Sequence, residues 1–216
     1  MISILMPIYN GIEFINESVM SVINQTYTNW ELIIGINGHP PGSDVYLQAK
    51  RYEQYSSKIR VYDLVNVKGK SNALNAMLSH ANYEYIAILD VDDIWMPNKL
   101  ECQQYYLYVY DVIGTRCVYI GDMEGCVPNL PVGNIEHFDF KQFNPIINSS
   151  ALIRKDLCYW KDNGIEDYDL WLRLKYQGKK FYNCGDIAVK HRIHSASAFN
   201  AQGNHNKVAN LLASYQ

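Results

Sequence analysis

The sequence lacks several features that mark whole classes of protein. Its 19 Lys and Arg residues stand against 22 Asp and Glu, so the formal net charge of −3 gives no general attraction to a nucleic-acid backbone. No apolar run approaches the roughly 20 residues that a membrane-spanning helix needs. The N-terminal residues lack the basic segment of a signal peptide, and Pro7 comes too soon for its apolar core. We therefore expect a cytoplasmic protein that has no transmembrane segment and binds no nucleic acid, with peripheral membrane contact left open.

Paired cysteines are missing as well. The five cysteines are scattered along the chain, and no two of them form a Cys-x-x-Cys pair. This spacing argues against both a zinc site and a disulfide framework. Free thiols in a reducing compartment are the simpler interpretation, which agrees with a cytoplasmic protein.

What the sequence does contain is a regular alternation of strand and helix patterns. Apolar strand-like runs are separated by segments with helical spacing, and these runs span 2–6, 30–36, 59–64 and 85–89. The alternation predicts an α/β fold, with a Rossmann-like, doubly wound and mostly parallel sheet that carries helices on both faces. Beyond residue 97 the rhythm is looser, and the predicted elements are helices at 99–108, 168–176 and 208–215, strands at 117–120, 150–153, 181–184 and 187–189, and a loop at 121–133. No repeat or linker interrupts the chain, so we expect a single domain over residues 1–216.

A cluster of carboxylates follows the fourth predicted strand. Asp90, Asp92 and Asp93 lie within four residues at its carboxyl end, where open α/β sheets bind ligands. Carboxylates so close together repel one another unless a cation or hydrogen-bond donors neutralise them. Oxygen ligands at this density suit Mn²⁺ or Mg²⁺ bridging the diphosphate of a nucleotide. The alternative is that Asp92 or Asp93 only caps the helix near Pro97, which would explain one aspartate better than three.

A second acidic segment begins a later helix. Asp167 is a candidate general base, a carboxylate that takes the proton of an attacking hydroxyl. The alternative is a helix cap, with Asp169 and Arg173 forming a surface ion pair one turn apart. His191 and His194 are too loosely spaced to indicate a zinc pair by themselves.

Short motifs occur in a fixed order along the chain. They are Ile4-Leu-Met-Pro7-Ile-Tyr9-Asn10, Ser21-Val-Ile-Asn-Gln25-Thr26-Tyr27, Trp30-Glu31-Leu-Ile-Ile, Gly69-Lys-Ser71-Asn-Ala73-Leu-Asn75, Asp90-Val-Asp92-Asp93, Glu166-Asp167-Tyr-Asp169-Leu-Trp-Leu-Arg173 and Arg192-Ile-His194-Ser-Ala-Ser197. Together they resemble the family 2 glycosyltransferases, which have the GT-A fold. The matches span about residues 2–197, with 112–148 weakly covered. Each motif alone is weak, and their common order makes the resemblance specific.

This resemblance implies a function. It is the transfer of a sugar, in the manner of a hexosyltransferase, from a nucleotide-sugar donor to an acceptor hydroxyl, with inversion. A UDP-sugar is the favoured donor, and the acceptor is a glycan, a lipid-linked molecule or a protein. Mn²⁺ or Mg²⁺ would act as a Lewis acid on the leaving diphosphate while the base directs an in-line displacement. The resemblance also implies a nucleotide-binding half at 1–100, an acceptor half at 101–197 and a C-terminal tail at 198–216.

Roles for individual residues follow from the same resemblance. The ring of Tyr9 would lie against the base, and Asn37 stands where the family usually has an acid, so it reads the base with a donor and an acceptor. The family often has an arginine where this chain has Leu74, so Lys68 or Lys70 would supply the positive charge instead. The implied nucleotide-binding residues are Pro7, Tyr9, Asn37, Lys70, Asp90, Val91 and Asp92. The implied acceptor-binding residues are Trp95, Asn148, Ser149 and Glu166, the metal ligands are Asp92 and His194, and the catalytic base is Asp167.

Two other functions stay open on the sequence. A nucleotidyltransferase also uses Asp-rich strand ends and Mg²⁺, but it would need a Gly-rich, basic phosphate loop where this chain has Pro7-Ile-Tyr-Asn10. A catalytically degenerate nucleotide-sugar-binding module would keep the fold without the reaction, and the joint presence of the implied metal and base residues argues against it. Donor-hydrolysis assays with and without Mn²⁺ separate these possibilities.

Overall fold

The structure, a computed structural model, describes residues 1–195 and 204–215. Its strands are β1 (Ile2–Ile8), β2 (Trp30–Asn37), β3 (Ile59–Leu64), β4 (Tyr85–Ile88), β5 (Ile94–Trp95), β6 (Val112–Gly121), β7 (Gly133–Asn134), β8 (Leu152–Arg154) and β9 (Phe181–Ile193). Its α-helices are α1 (Ile15–Ile23), α2 (Asp44–Lys50), α3 (Lys70–Leu78), α4 (Lys99–Gln104), α5 (Glu166–Tyr176) and α6 (Asn204–Ala213). Residues 196 and 197 of the last motif, and residues 198–203 and 216 of the predicted tail, lie outside the described residues. Among the helices described, none combines the length and apolar character needed to cross a lipid bilayer.

All these strands belong to one sheet, in the order β3-β2-β1-β4-β8-β6-β9-β5, with β7 paired to β9. The first four strands of that order are parallel. β8 runs antiparallel to both of its neighbours, and β6 and β9 are again parallel. The predicted α/β sheet of mostly parallel strands is confirmed, and the looser rhythm beyond residue 97 corresponds to its mixed second half.

Helices cover both faces of the sheet because its central strands are apolar on both sides. β1 and β2 are buried at every position, as expected for parallel strands between helical layers. Ile4 and Met6 pack in one apolar cluster with residues of α1, α2 and α4. Leu5 packs in a second cluster with residues of α3, α5 and α6. The side chains of β1 therefore alternate between two cores.

The last strand differs from the sequence-based expectation. Separate strands were predicted at 181–184 and 187–189, whereas β9 is continuous from Phe181 to Ile193. Its register with β6 jumps from Cys184 to Ile187, so Gly185 and Asp186 form an irregularity of the bulge type. The strand then continues beside β5, where Lys190 pairs with Ile94. This pairing carries the end of β9 along the acidic segment that follows β4.

Candidate active site

The ends of neighbouring parallel strands form the floor of the site. β1 is followed by Tyr9, β2 ends at Asn37, and Asp90 lies two residues beyond the end of β4. Because β2, β1 and β4 are adjacent in the sheet, these residues lie along one edge. That edge is where open α/β sheets bind ligands.

Asp90 is held by a lysine and an amide. Lys70 Nζ lies 2.6 Å from Asp90 Oδ1, and Asn148 Nδ2 donates to both carboxylate oxygens at 3.3 and 3.1 Å. The backbone N–H of Asp90 donates to Ser149 Oγ at 3.0 Å. Burial alone would raise the pKa of Asp90, but the Lys70 charge and the Lys70 and Asn148 hydrogen bonds outweigh it and lower the pKa. Asp90 is therefore a stable carboxylate at neutral pH.

Asp92 faces a histidine that β9 brings from the far end of the chain. Asp92 Oδ2 lies 3.1 Å from His194 Nε2. Burial raises the pKa of Asp92, and the charges of Asp93 and Asp90 raise it further, while the His194 hydrogen bond opposes the shift. A carboxylate in this environment gains from a nearby cation, because its neighbours disfavour the charged form.

Asp93 is buried and bonded to residues of β9. It is fully buried, lies 2.9 Å from His191 Nδ1 through Oδ2, and accepts a hydrogen bond from the Arg192 backbone N–H at 2.8 Å. The Arg192 side chain donates through Nε to the Asp92 carbonyl at 2.9 Å. Each of the three carboxylates thus has a hydrogen-bond or ion-pair partner of its own. The contacts of Asp93 tie the acidic segment to β9.

Asp92 and His194 fit a divalent cation that takes further ligands from a substrate. Over residues 1–195 and 204–215, no group of three or more His, Cys, Asp or Glu side chains is arranged to hold a metal. Mg²⁺ is commonly bound by one or two carboxylates together with substrate phosphates and water. Asp92 and His194, which lie 3.1 Å apart, offer a carboxylate and an imidazole, and they would hold such an ion together with ligands from a substrate.

Asp167, at the start of α5, faces the same site from the other side. Asn144 Nδ2 donates to Asp167 Oδ2 at 3.0 Å. Burial raises the pKa of Asp167, the Glu166 charge raises it further, and Lys70 and the Tyr168 backbone N–H oppose the shift. Burial would lower the pKa of Lys70, but the charges of Asp90, Glu166 and Asp167 raise it above its usual range. Both acidic segments therefore act on one lysine ammonium.

The helix-cap alternatives are wrong for both acidic segments. The residue before α4 is Asn98 and the residue before α5 is Ile165, and no side chain caps either helix with a hydrogen bond. Asp169 does pair with Arg173 at 2.7 Å, as the alternative expected, but its side chain is buried rather than on the surface. Asp169 thus stabilises α5, and Asp167 is the acid that faces the site.

Tyr9 and Gly38 form a platform at the ends of β1 and β2. The Tyr9 side chain is exposed (56%), although it follows a fully buried strand. Gly38 has φ of 75°, and a Cβ at this position would lie 3.0 Å from the Tyr9 ring, so the ring packs directly on the glycine backbone. The His39 ring nitrogen Nε2 lies 2.6 Å from the Tyr9 carbonyl oxygen. These contacts hold an exposed aromatic face next to Asn37.

Several implied site residues, Asn37 among them at 2% exposed, are buried, so their side chains cannot touch a ligand directly in this structure. Trp95 is 2% exposed and donates through Nε1 to the Ser149 carbonyl at 2.7 Å. Ser149 is itself fully buried, and Pro7 is buried inside β1. Val91 is buried as well, with a methyl group facing Gly11. The expectation that Trp95 and Ser149 contact the acceptor is corrected accordingly, because their side chains pack under the site and support Asp90.

Residues that sequence reasoning missed complete the arrangement. Asn144 bonds to Asp167, and His191 bonds to Asp93, neither of which was expected to contribute. His191 comes directly before a motif already recognised, which begins at Arg192. Asn144 precedes a proline in a weakly covered segment, where the Asn-Pro pair signals only a turn.

Comparison with known sequences gives the family. The sequence profile described as "Glycosyl transferase family 2" matches residues 3–158. The chain is 30% identical, over 91% of its length, to the O-antigen biosynthesis glycosyltransferase WbnJ of Escherichia coli, of which the match covers 81%. It is also 30% identical, over 91% of its length, to the UDP-Glc:alpha-D-GlcNAc-diphosphoundecaprenol beta-1,3-glucosyltransferase WfgD of Escherichia coli, of which the match covers 79%.

Solved structures share the fold. TarS 1-349 of S. aureus in complex with UDP-GlcNAc matches with a TM-score of 0.76 and 16% identity, over 99% of this chain and 65% of that one. The mannosyltransferase PcManGT of Pyrobaculum calidifontis, in complex with GDP-Man and Mn²⁺, matches with a TM-score of 0.68 and 16% identity, over 98% and 61%. This chain thus spans just under two thirds of the length of each structure and shares their GT-A fold. Taken with the sequence matches, this shows that the protein is an enzyme of the glycosyltransferase type and belongs to glycosyltransferase family 2.

Proposed function

We propose that the chain transfers a sugar from a nucleoside-diphosphate sugar to an acceptor hydroxyl with inversion, and that Asp167 is the general base. One observation carries this proposal: two acidic segments far apart in sequence act on Lys70, and their environments shift their pKa values in opposite directions. Lys70 and Asn148 lower the pKa of Asp90, whereas burial and Glu166 raise that of Asp167. Neighbouring carboxylates with divergent pKa values divide into charge-stabilising and proton-transferring roles.

The reaction is a single displacement. The acceptor oxygen bonds to the anomeric carbon as the bond from that carbon to the diphosphate oxygen breaks, and Asp167 receives the hydroxyl proton. A raised pKa suits this role, because a stronger base takes a hydroxyl proton more readily. Lys70 keeps its charge beside Asp90 and attracts the negative charge that develops on the leaving diphosphate.

We propose a uridine diphosphate sugar as the donor, with the base on Tyr9 and beside Asn37. The exposed Tyr9 ring on Gly38 supports a stacking role, whereas the Asn37 amide, 2% exposed at the end of β2, is not presented to a ligand in this structure. The name of WfgD includes UDP-Glc, and the TarS structure holds UDP-GlcNAc. PcManGT holds GDP-Man, so both bases occur among structures of this fold.

A divalent cation, Mn²⁺ or Mg²⁺, is part of the proposal. Asp92 and His194 would hold it, and their contact at 3.1 Å supports a shared ligand role. When bound, such an ion supplies Lewis-acid stabilisation of the diphosphate. The PcManGT structure contains Mn²⁺.

For the acceptor we propose a glycan hydroxyl, received beside Glu166 and Asn148. A lipid-linked glycan is one form of it, supported by the diphosphoundecaprenol in the name of WfgD, and it would require peripheral contact with a membrane. A protein is the alternative acceptor. The five free cysteines support a reducing compartment, and we propose the cytoplasm.

A panel of nucleotide sugars tests this function. We expect release of UDP from one UDP-sugar, stimulated by Mn²⁺ and further by the acceptor. Release of pyrophosphate from a nucleoside triphosphate and a sugar phosphate would indicate a nucleotidyltransferase instead. Binding of donor without any turnover, across candidate acceptors and metals, would favour the degenerate module.

A further inference from the structure

The orientation of the Asn144 amide beside Asp167 is determined by the backbone. The Ile146 N–H donates to Asn144 Oδ1 at 3.2 Å, and a backbone N–H cannot accept, so the amide oxygen faces Ile146. The amide nitrogen must then face Asp167, where Nδ2 lies 3.0 Å from Oδ2. A primary amide nitrogen donates only, so this contact requires an acceptor oxygen and favours the ionised carboxylate.

The core holds this loop in place. Asn183 is fully buried on β9, and its Nδ2 donates to the Pro145 carbonyl at 3.0 Å and to the Pro131 carbonyl at 2.8 Å. Ile146 is fully buried in the apolar cluster that also contains residues of α5. Asn144 is therefore positioned by its neighbours in the chain, and its donor is in place before any substrate arrives.

We propose that Asn144 is the positioning residue of the base: it holds Asp167 at Oδ2, so that Oδ1 receives the proton of the acceptor hydroxyl. This inference rests on the proposed function of Asp167. Asn144 is neutral, so it orients and stabilises the carboxylate without the strong loss of basicity that a direct ion pair would cause.

Other groups also act on the carboxylate. Glu166 on the same helix and Asp90 beyond β4 raise the pKa of Asp167, as burial does, whereas Lys70 on α3 and the Tyr168 backbone N–H lower it. The hydrogen bond from Asn144 likewise favours the ionised carboxylate and so lowers the pKa of Asp167. Removing Asn144 should therefore raise that pKa, which makes the base harder to ionise.

The experiment compares pH profiles of kcat/KM, measured with the full chain, Mn²⁺ and the donor and acceptor that support turnover. Asn144→Asp keeps the size of the side chain and an Oδ1 that accepts from Ile146, but replaces the donor with a second carboxylate. A like charge at this distance raises a carboxyl pKa by about one unit or more. We expect the acidic limb of the profile to move to higher pH by that amount, which lowers kcat/KM at a given pH on the limb about tenfold. The value of kcat/KM on the alkaline plateau should change only a few-fold.

Asn134→Asp is the matched control. Asn134 Oδ1 accepts from the Glu136 N–H at 2.8 Å in the same kind of turn, but Asn134 is exposed and has no described bond to the site. Its profile should overlay that of the unsubstituted protein. Asn144→Ala is the second variant and should move the limb in the same direction by a smaller amount. Donor affinity, measured by calorimetry, should be unchanged in all three variants.

The outcomes separate this inference from the function on which it rests. If Asp167→Asn transfers sugar at the normal rate, Asp167 is not the base and the proposed function fails first. If Asp167→Asn is impaired but the acidic limb stays in place in Asn144→Asp, the positioning role is overturned. If Asn144→Asp does not fold, the positioning role is overturned when the acidic limb of the Asn144→Ala profile stays in place. It is also overturned when a variant loses as much donor affinity as it loses rate.

Discussion

Replacing Asp167 with asparagine separates the chemistry from binding. Asp167→Asn removes a carboxylate at a half-buried position and keeps its size, and the new amide oxygen can still accept from Asn144 Nδ2. The pKa of Asp167 is raised, so at neutral pH the fold pays for a charge that its surroundings disfavour. We therefore expect the melting temperature to stay the same or to rise.

The expected loss of rate is large, and the expected loss of affinity is small. General-base catalysis contributes about 10²–10⁴-fold, so the turnover number should fall by roughly that factor. Donor binding should persist, because the closest anionic partner of Lys70 is Asp90, at 2.6 Å. Asp92 and His194 make their contact independently of Asp167.

The assay pairs single-turnover transfer with calorimetric titration of nucleotide and Mn²⁺. Asp156→Asn is the control, because this carboxylate has a side chain that is 59% exposed and pairs with Arg154 at the surface. Such exposed pairs contribute little, so this variant should be normal in both measurements. If nucleotide affinity falls in Asp167→Asn as much as the rate does, Asp167 holds the donor site together and is not the base. If neither falls, Glu166 becomes the better candidate.

Three further predictions concern the donor end. Chelation should abolish transfer and Mn²⁺ or Mg²⁺ should restore it; full activity in excess chelator, with Asp92→Ala also unimpaired, would remove the metal from the mechanism. UDP should bind more tightly than GDP in calorimetric titrations with metal, and tighter GDP binding would refute the uridine preference. Gly38→Ala puts a Cβ 3.0 Å from the Tyr9 ring at φ 75°, so the free energy of unfolding in urea should fall by about 1–2 kcal/mol. The displaced ring should also weaken UDP binding, and an unchanged UDP affinity would argue against stacking on Tyr9.

The strands that build the donor side could be predicted from the sequence. β1 to β4 are short apolar runs that end at turn residues or acids, and strands buried on both faces leave that signal. Their order along the chain predicts which ends meet at one edge. Asp90 and Asp92 could therefore be placed at the ligand end of the sheet before any coordinates existed.

The pairings that complete the site could not be predicted. His191 meets Asp93 across 98 residues of chain, through a two-residue pairing of β5 with β9 that has no periodic pattern. Trp95 lies in β5, and that pairing turns its ring into the core, whereas the resemblance implied that it contacts the acceptor. Asn144 reaches Asp167 only because the buried amide of Asn183 anchors its loop. Such tertiary contacts depend on the assembled sheet and leave little trace in local sequence.

A crystal structure of the protein with UDP and Mn²⁺ would test most directly whether these acidic segments form one site. We expect the uracil ring against Tyr9, the metal between the diphosphate and both Asp92 and His194, and Asp167 across an open space from the diphosphate. A nucleotide bound away from the ends of β1, β2 and β4, or a metal without Asp92 among its ligands, would contradict this account.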